Sequence, residues 1–385
     1  VGDLASNSRK IIDGCRALEK RGATIVLTPE LVLTGYPPQD LLFKSDFVPA
    51  SLRVLEEIHA EVGTAAWIVG CVHPNPSEHG RPFFNAAAIL EKGRSPRFVF
   101  KSLLPTYDVF NETRYFEPNS SPTPVEIGGR LFGVTICEDI WTPEHLPRRL
   151  YSTNPVETLV AAGATAILNL SASPFQIGKA KIREEMIAAQ AKKYGVPFFY
   201  CNAVGGNDQL VFDGNSLAID SAGKTLCRWP GFRESVAMVD DLESAAPVSD
   251  IESLRQALVL GIRDYAAKCG FRSAVLGLSG GIDSAVVACL AVEALGADKV
   301  TGVAMPSPFS SSHSVEDALQ LAQNLGMPCL KIPIAESFEV FKAQMRPAFG
   351  DRPEDATEEN MQARLRGLTL MSLSNKFGHL LLTTG

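Results

Sequence analysis

The chain has 385 residues, 45% of them hydrophobic and 21% charged, with a formal net charge of -7 at pH 7. That length suffices for two domains with a sizeable core, and the composition is that of an ordinary globular protein. The acidic balance argues against non-specific nucleic-acid binding, and no apolar stretch reaches the ~20 residues that span a bilayer, so small molecules are the expected partners.

In chain order, residues 4–20 carry a helical apolar period. Thr24 to Thr28 is a short β-branched run ending in Pro29-Glu30. Strands are predicted over Ala66–Val72, Asn85–Leu90, Phe98–Phe100 and Leu131–Ile136, the last ending at Cys137. A helix at 155–161, a strand at Ala164–Leu170, an amphipathic helix at Lys179–Tyr194 and a strand at Val196–Tyr200 follow. Three shorter strands come next, with turns at Asp213-Gly214 and Ala222-Gly223. This mixture predicts layered sheets covered by helices.

Three strand ends in this part carry chemistry. Cys137 stands where an apolar strand stops, followed by two acids. Taken alone it reads more readily as a buried structural thiol. Glu30 and Lys101 end two other strands, and each alone reads as a surface charge. Together they supply what a thiol nucleophile needs, a base and a cation. The eight cysteines contain no C-x-x-C pair and the six histidines no metal-ligand spacing. Reduced thiols in a cytoplasmic protein, and no zinc site, are therefore expected. No signal-peptide pattern opens the chain.

Residues 241–250 are polar and contain a proline, and read as a linker, with Asp250 as N-cap of a helix over 251–268. The order then becomes strand 274–278, helix 283–295, strand 299–305, helix 312–325, strand 329–333, helix: a βαβ rhythm that predicts a doubly wound parallel sheet. Between its first strand and helix lies Ser279-Gly280-Gly281-Ile282-Asp283-Ser284. Two glycines can turn backbone N–H groups onto an anion, the helix N-terminus points at the same place, and Ser279 and Ser284 add hydroxyls. The loop is no Walker A, and without a lysine it suits a released pyrophosphate better than a transferred phosphoryl group.

This loop resembles that of the N-type ATP pyrophosphatases. Glu30 in Pro-Glu-Leu, Lys101 in Lys-x-x-Leu-Pro and Cys137 in Ile-Cys-Glu-Asp-Ile-Trp resemble the nitrilase, or carbon–nitrogen hydrolase, superfamily. Similar matches extend over 107–116, 169–175, 208–214, 360–367 and 373–378. The combination is similar to the glutamine-dependent NAD+ synthetase family. The implied fold is α/β: a nitrilase-like αββα sandwich at 1–245 and a doubly wound pyrophosphatase domain at 246–385. A first strand and a C-terminal continuation are expected to lie outside this chain.

The resemblance implies a Cys-Glu-Lys triad. Cys137 attacks the amide of glutamine, Glu30 takes its proton, and Lys101 steadies the oxyanion with the Glu138 backbone N–H. Glu112 orients Lys101 or water, and Tyr107, Ser171 and Ser173 grip glutamine. In the second domain ATP would adenylate deamido-NAD, and ammonia, led through a dry channel, would displace AMP. Ser279, Gly280, Gly281, Asp283, Ser284, Met305 and Thr384 are implied ATP contacts, with Asp283 at Mg2+. Arg364 and Arg366 are candidates for the deamido-NAD or nucleotide site; two apart on a helix, they diverge by about 200°, so at most one is expected to reach it. A homo-oligomer with paired synthetase domains is also implied. The rival expectation is a free-standing amidase with a degenerate second domain.

Overall fold

The computed structural model describes residues 1–142, 148, 150–241, 245–307 and 312–384. Residues 242–244 of the expected linker, and Gly385, lie outside the described residues. The chain forms two compact units, dividing between Ser253 and Leu254, later than the break read at 245.

In the first unit, α1 (Leu4–Lys20) begins where the Asp3 carboxylate accepts the Ser6 N–H, and buries Ile11 and Cys15. After β1 (Ile25–Leu27) comes α2 (Phe47–Ala60), in a stretch where the sequence reading places no element. Pro49 interrupts its pattern to the eye, yet it sits in the first turn, where its missing N–H costs nothing. Then follow β2 (Ala66–Pro74), β3 (Phe83–Leu90) and β4 (Arg97–Phe100), which with β1 make a sheet in the order β1-β2-β3-β4. β5 (Val125–Ile127) and β6 (Arg130–Ile136) open the second sheet. α3 (Pro155–Ala161) follows, and β7 (Ile167–Ser171), α4 (Lys179–Tyr194) and β8 (Phe198–Asn202) lead to the hairpin β9 (Val204–Asn207) and β10 (Leu210–Asp213). The unit closes with β11 (Leu217–Ile219) and β12 (Thr225–Arg228). Four short strands thus stand where the turns suggest three.

The second sheet runs β12-β11-β8-β7-β6-β5, with β6, β7 and β8 parallel. Ile68, Ala87 and Ile89 of the first sheet pack with Val134, Ile136, Leu168 and Leu170 of the second. α1 and α2 cover the outer face of the first sheet, and α3 and α4 that of the second. The unit is the expected αββα sandwich. Cys137, Lys101 and Glu30 follow the carboxyl ends of β6, β4 and β1.

One glycine sets the depth at which Glu30 lies. The strap 28–33 is laid along β2 by Thr28, whose hydroxyl donates to the Ile68 carbonyl (3.0 Å), and by the Leu33 N–H donating to the Gly70 carbonyl (3.2 Å). A Cβ on Gly70 would lie 2.3 Å from the Pro29 carbonyl oxygen and 2.5 Å from the Leu31 nitrogen.

The second unit alternates α5 (Asp250–Lys268), β13 (Ala274–Leu278), α6 (Ile282–Leu295), β14 (Val300–Ala304), α7 (Ser312–Leu325), β15 (Cys329–Lys331), α8 (Ala335–Phe349), α9 (Ala356–Phe377) and β16 (Leu380–Leu382). Asp250 is not the cap of α5 but its first residue; the Ser249 hydroxyl accepts the Glu252 N–H at 3.3 Å. The four strands are all parallel in the order β15-β14-β13-β16. Apolar residues cover both faces of the sheet, the doubly wound arrangement. The chain returns on the other side of β13 to form β16, so the strand order reverses there, and ligands bind outside the carboxyl ends at such a point.

Gly70→Ala should therefore displace the Glu30 strap. A loss of about 1–3 kcal/mol in the first unit's unfolding free energy, read from denaturant titration, is expected, with amide hydrolysis falling further than stability does. Unchanged hydrolysis would show that the strap tolerates the shift.

Candidate active site

Glu30, Lys101 and Glu112 meet in the interior of the first unit, all at or below 5% exposure. The Lys101 ammonium donates to Glu30 Oε1 at 2.7 Å and to Glu112 Oε1 at 2.8 Å. Each carboxylate has further donors. Asn85 Nδ2 reaches Glu30 Oε1 at 2.7 Å, the Ala172 N–H reaches Glu30 Oε2 at 3.0 Å, and the Tyr36 hydroxyl reaches Glu112 Oε1 at 2.7 Å. Burial opposes the ammonium, but Glu112, Glu30 and Cys137 outweigh it, and Lys101 stays charged well above the usual lysine range. Two of its three N–H donors are committed, leaving the third for another acceptor.

Glu112 shows the cost of this arrangement. Burial raises its carboxyl to about 7, with Lys101 opposing and the Glu30 charge adding to the rise. The Cys137 thiol is likewise pushed above its usual range, first by burial and then by Glu30, while Lys101 and a hydrogen bond with Ser171 pull it back. A thiol of this kind rests protonated, so it needs a base at the moment of attack rather than a standing thiolate. Cys137 is also held at φ +45°, in the left-handed region, which costs about 1–3 kcal/mol in a non-glycine residue.

The expected glutamine-gripping residues lie around this centre. The Tyr107 hydroxyl donates to Glu138 Oε1 at 2.8 Å and the Tyr151 hydroxyl to the same oxygen at 3.1 Å. Ser171 accepts from the Tyr200 hydroxyl at 3.2 Å, and the Ser173 N–H donates to Asn202 Oδ1 at 2.9 Å. Asn85, Tyr36, Glu138 as a side chain, Tyr151, Lys179 and Arg183 escape the sequence reading. Asn85 could have been flagged as one amide in an otherwise apolar strand. Lys179 opens α4, where a cation opposes the helix dipole; its ammonium lies 5.5 Å over the Trp141 ring and is lowered by burial and by Arg183. Arg183 is 1% exposed and paired with Asp213, although its neighbours in sequence suggest a solvated helix face.

The second unit has its own cavity of about 340 Å³ at the carboxyl edge of its sheet. Ser279, Ser284, Met305, Thr384 and Arg366 line it; Gly280, Gly281, Asp283 and Arg364 do not. Arg364 is exposed and donates to the Asn360 carbonyl of its own helix at 3.1 Å. Of the two arginines, Arg366 lines the cavity and Arg364 does not. Ser284 is turned inward, donating to the Gly281 carbonyl at 3.0 Å and accepting the Ser279 N–H at 3.3 Å, so it shapes the loop rather than offering a free hydroxyl. Gly280 is at φ +80°, and a Cβ there would lie 2.4 Å from the Ser314 carbonyl oxygen.

A buried thiol within the field of a lysine held between two carboxylates, on an αββα sandwich, is the arrangement of a carbon–nitrogen hydrolase unit. Residues 1–248 match the carbon–nitrogen hydrolase family and residues 254–385 the NAD synthase family. A Synechocystis protein named glutamine-dependent NAD(+) synthetase is 44% identical over the whole chain and 72% of its own length. A Thermotoga maritima protein of the same name is 38% identical over the whole chain and 72% of its length. The solved structure of glutamine-dependent NAD+ synthetase from Acinetobacter baumannii in complex with adenosine diphosphate superposes with a TM-score of 0.90 at 36% identity, over all of this chain and 72% of that one. The chain belongs to the glutamine-dependent NAD+ synthetase family.

Lys101→Met would leave two buried carboxylates without their cation, and about 3–5 kcal/mol of stability should be lost with all amide hydrolysis. A second expectation concerns pH. Lowering pH through about 7 protonates Glu112 and loosens Lys101, so hydrolysis should fall there. Stability runs the other way. The folded carboxyl is raised above its unfolded value, so its contribution is fully present below about 4.5 and lost as pH rises through about 7. Urea midpoints of wild type relative to Glu112→Gln should decline over that window; a flat difference contradicts the reading.

Proposed function

We propose that this chain makes NAD+ by ATP-dependent amidation of deamido-NAD with ammonia from glutamine. The observation that carries the proposal is the presence in one chain of the buried Glu30–Lys101–Glu112 centre beside Cys137 and of an anion-ready cavity in a pyrophosphatase-like unit.

In the first unit Glu30 takes the thiol proton as Cys137 attacks the glutamine amide carbon. The third N–H of Lys101 meets the developing oxyanion. Glu30 returns the proton to the departing ammonia, and water releases glutamate from the thioester. Glu138 and Lys179, of opposite charge and acting on one another, match the ammonium and carboxylate of a free amino acid. Tyr107, Ser171 and Ser173 complete the grip on glutamine. Glu112 holds Lys101 in place.

In the second unit the deamido-NAD carboxylate attacks the α-phosphorus of ATP, pyrophosphate leaves toward the loop 279–284, and ammonia then displaces AMP. The Gly280 N–H and the Ser279 hydroxyl offer donors to phosphate, while the Ser279 and Gly281 N–H groups close the loop on Ser284 and Ser279; Met305 packs on adenine, and Arg366 and Thr384 face the nucleotide. Asp283, exposed in the first turn of α6, would supply one oxygen ligand to a magnesium ion. Among the described residues no group of three His, Cys, Asp or Glu could hold a metal by itself. When bound, magnesium offsets the triphosphate charge. The reading also includes a homo-oligomer with paired synthetase units, which light scattering checks.

The free-standing amidase alternative has less support, since the family match covers the second unit as fully as the first. The deciding assay supplies ATP, Mg2+ and deamido-NAD with either glutamine or ammonium. Cys137→Ala should lose glutamine-driven NAD+ formation by at least about 10³-fold and keep the ammonium-driven reaction. Amide hydrolysis without any NAD+ formation by wild type would overturn the synthetase reading.

A further inference from the structure

The Asp139 carboxylate has no place in the mechanism above, yet it is 4% exposed and fully engaged. Its Oδ1 accepts the backbone N–H groups of Ser102 (2.9 Å) and Leu103 (2.8 Å), the two residues after Lys101. Its Oδ2 accepts the N–H of Ile136 (2.9 Å), the residue before Cys137. One side chain therefore ties the loop that carries the ammonium to the strand end that carries the thiol. Burial pushes this carboxyl up to about 7, and the three backbone N–H groups and the Lys101 charge oppose that rise, so the hydrogen bonds and the ionised form support one another.

A second observation points the same way. Cys137 stands in the left-handed region at φ +45°, a conformation that persists only where surrounding contacts over-determine it. The turn 137–140 folds back so that Asp139 captures the N–H of Ile136, fixing the Thr135–Ile136 peptide one step before Cys137. The same carboxylate then hands this turn to the Lys101 loop.

We propose that Asp139 is a positioning residue for amide hydrolysis, setting the distance and angle between Cys137 and Lys101 by clamping the backbone on both sides. The proposal rests on the glutaminase reading of this unit. The function asked of the clamp needs two acceptor oxygens. An asparagine keeps one acceptor and turns an N–H2 toward a backbone N–H, so either Ile136 or the Ser102–Leu103 pair must let go.

The test uses the full chain and steady-state kinetics of glutamine-driven NAD+ formation for Asp139→Asn. Ammonium-driven formation, which does not pass through Cys137, calibrates the concentration of active enzyme. A misplacement of order 1 Å costs about 10²-fold in rate, so kcat with glutamine should fall about 100-fold. KM should change less than kcat, because of the residues that grip glutamine only Glu138 lies in the clamped turn, while Tyr107, Ser171, Ser173 and Lys179 lie outside it. The alkylation rate of Cys137 by iodoacetamide should also change its pH dependence, since Lys101 no longer sits where it steadies the thiolate. Asp139→Glu, which keeps both acceptors on a longer arm, should recover part of the lost kcat; if Asp139→Asn does not fold, Asp139→Ser, which keeps a single shorter acceptor, carries the same criteria. A kcat within threefold of wild type, or kcat and KM lost together, would overturn the proposal. Wild-type glutamine dependence tests the glutaminase reading separately, so failure of one is not mistaken for failure of the other.

Discussion

The first unit depends on a buried ammonium ion held between two carboxylates. Burial opposes the Lys101 charge, which Glu30 and Glu112 sustain, and Lys101 in turn holds down the burial-raised Glu112 carboxyl. The cluster carries one negative charge in excess when both acids are ionised. Burial raises the Glu112 carboxyl to about 7 and the Cys137 thiol beyond its usual range, and the Glu30 charge adds to both. The surplus is useful: it makes the centre a proton acceptor, which a resting thiol requires. Chemistry and folding therefore make opposite demands on the same protons.

Everything around the centre supplies hydrogen bonds that an isolated cluster would lack. Asn85, Tyr36 and the Ala172 N–H each satisfy a carboxylate oxygen. The scaffold delivers these groups from separate strands of two facing sheets, and a single glycine, Gly70, lets the Glu30 strap lie directly on β2. Farther out, Arg183 pairs with Asp213, and Asn202 links Asp213 at 3.3 Å to the Ser173 N–H at 2.9 Å. The walls of the site are thus held by buried polar groups as well as by apolar packing. The second unit works on a different principle. Its loop 279–284 closes through Ser279 and Ser284, and presents backbone donors beside a cavity opened by the reversal of strand order.

What the sequence revealed and what it hid divide along a physical line. Period and strand ends are local properties, so the helices at 4–20, 155–161 and 179–194 and the strand 274–278 fall where the pattern puts them. Cys137, Glu30 and Lys101 were legible because each ends a recognisable strand. Asp139 follows Cys137 by two residues, but two of its partners, Ser102 and Leu103, are 37 and 36 residues away, and nothing local announces them. Arg183 is masked by charged neighbours, and Asp213, 30 residues on, is what draws it inward. α2 escaped notice because Pro49 reads as a breaker until the helix start is known. Ser284 carried the right chemistry for a phosphate donor, and only the geometry shows that it is spent within its own loop.

The central claim is that a thiol resting protonated in this buried centre becomes the nucleophile toward glutamine. Acid quenching of wild-type enzyme with glutamine, followed by intact mass and peptide mapping, tests it most directly. The account predicts a glutamyl adduct on the peptide carrying Cys137, absent in Glu30→Gln, where no base remains to take the thiol proton. An adduct on another residue, or an undiminished adduct in Glu30→Gln, would contradict it.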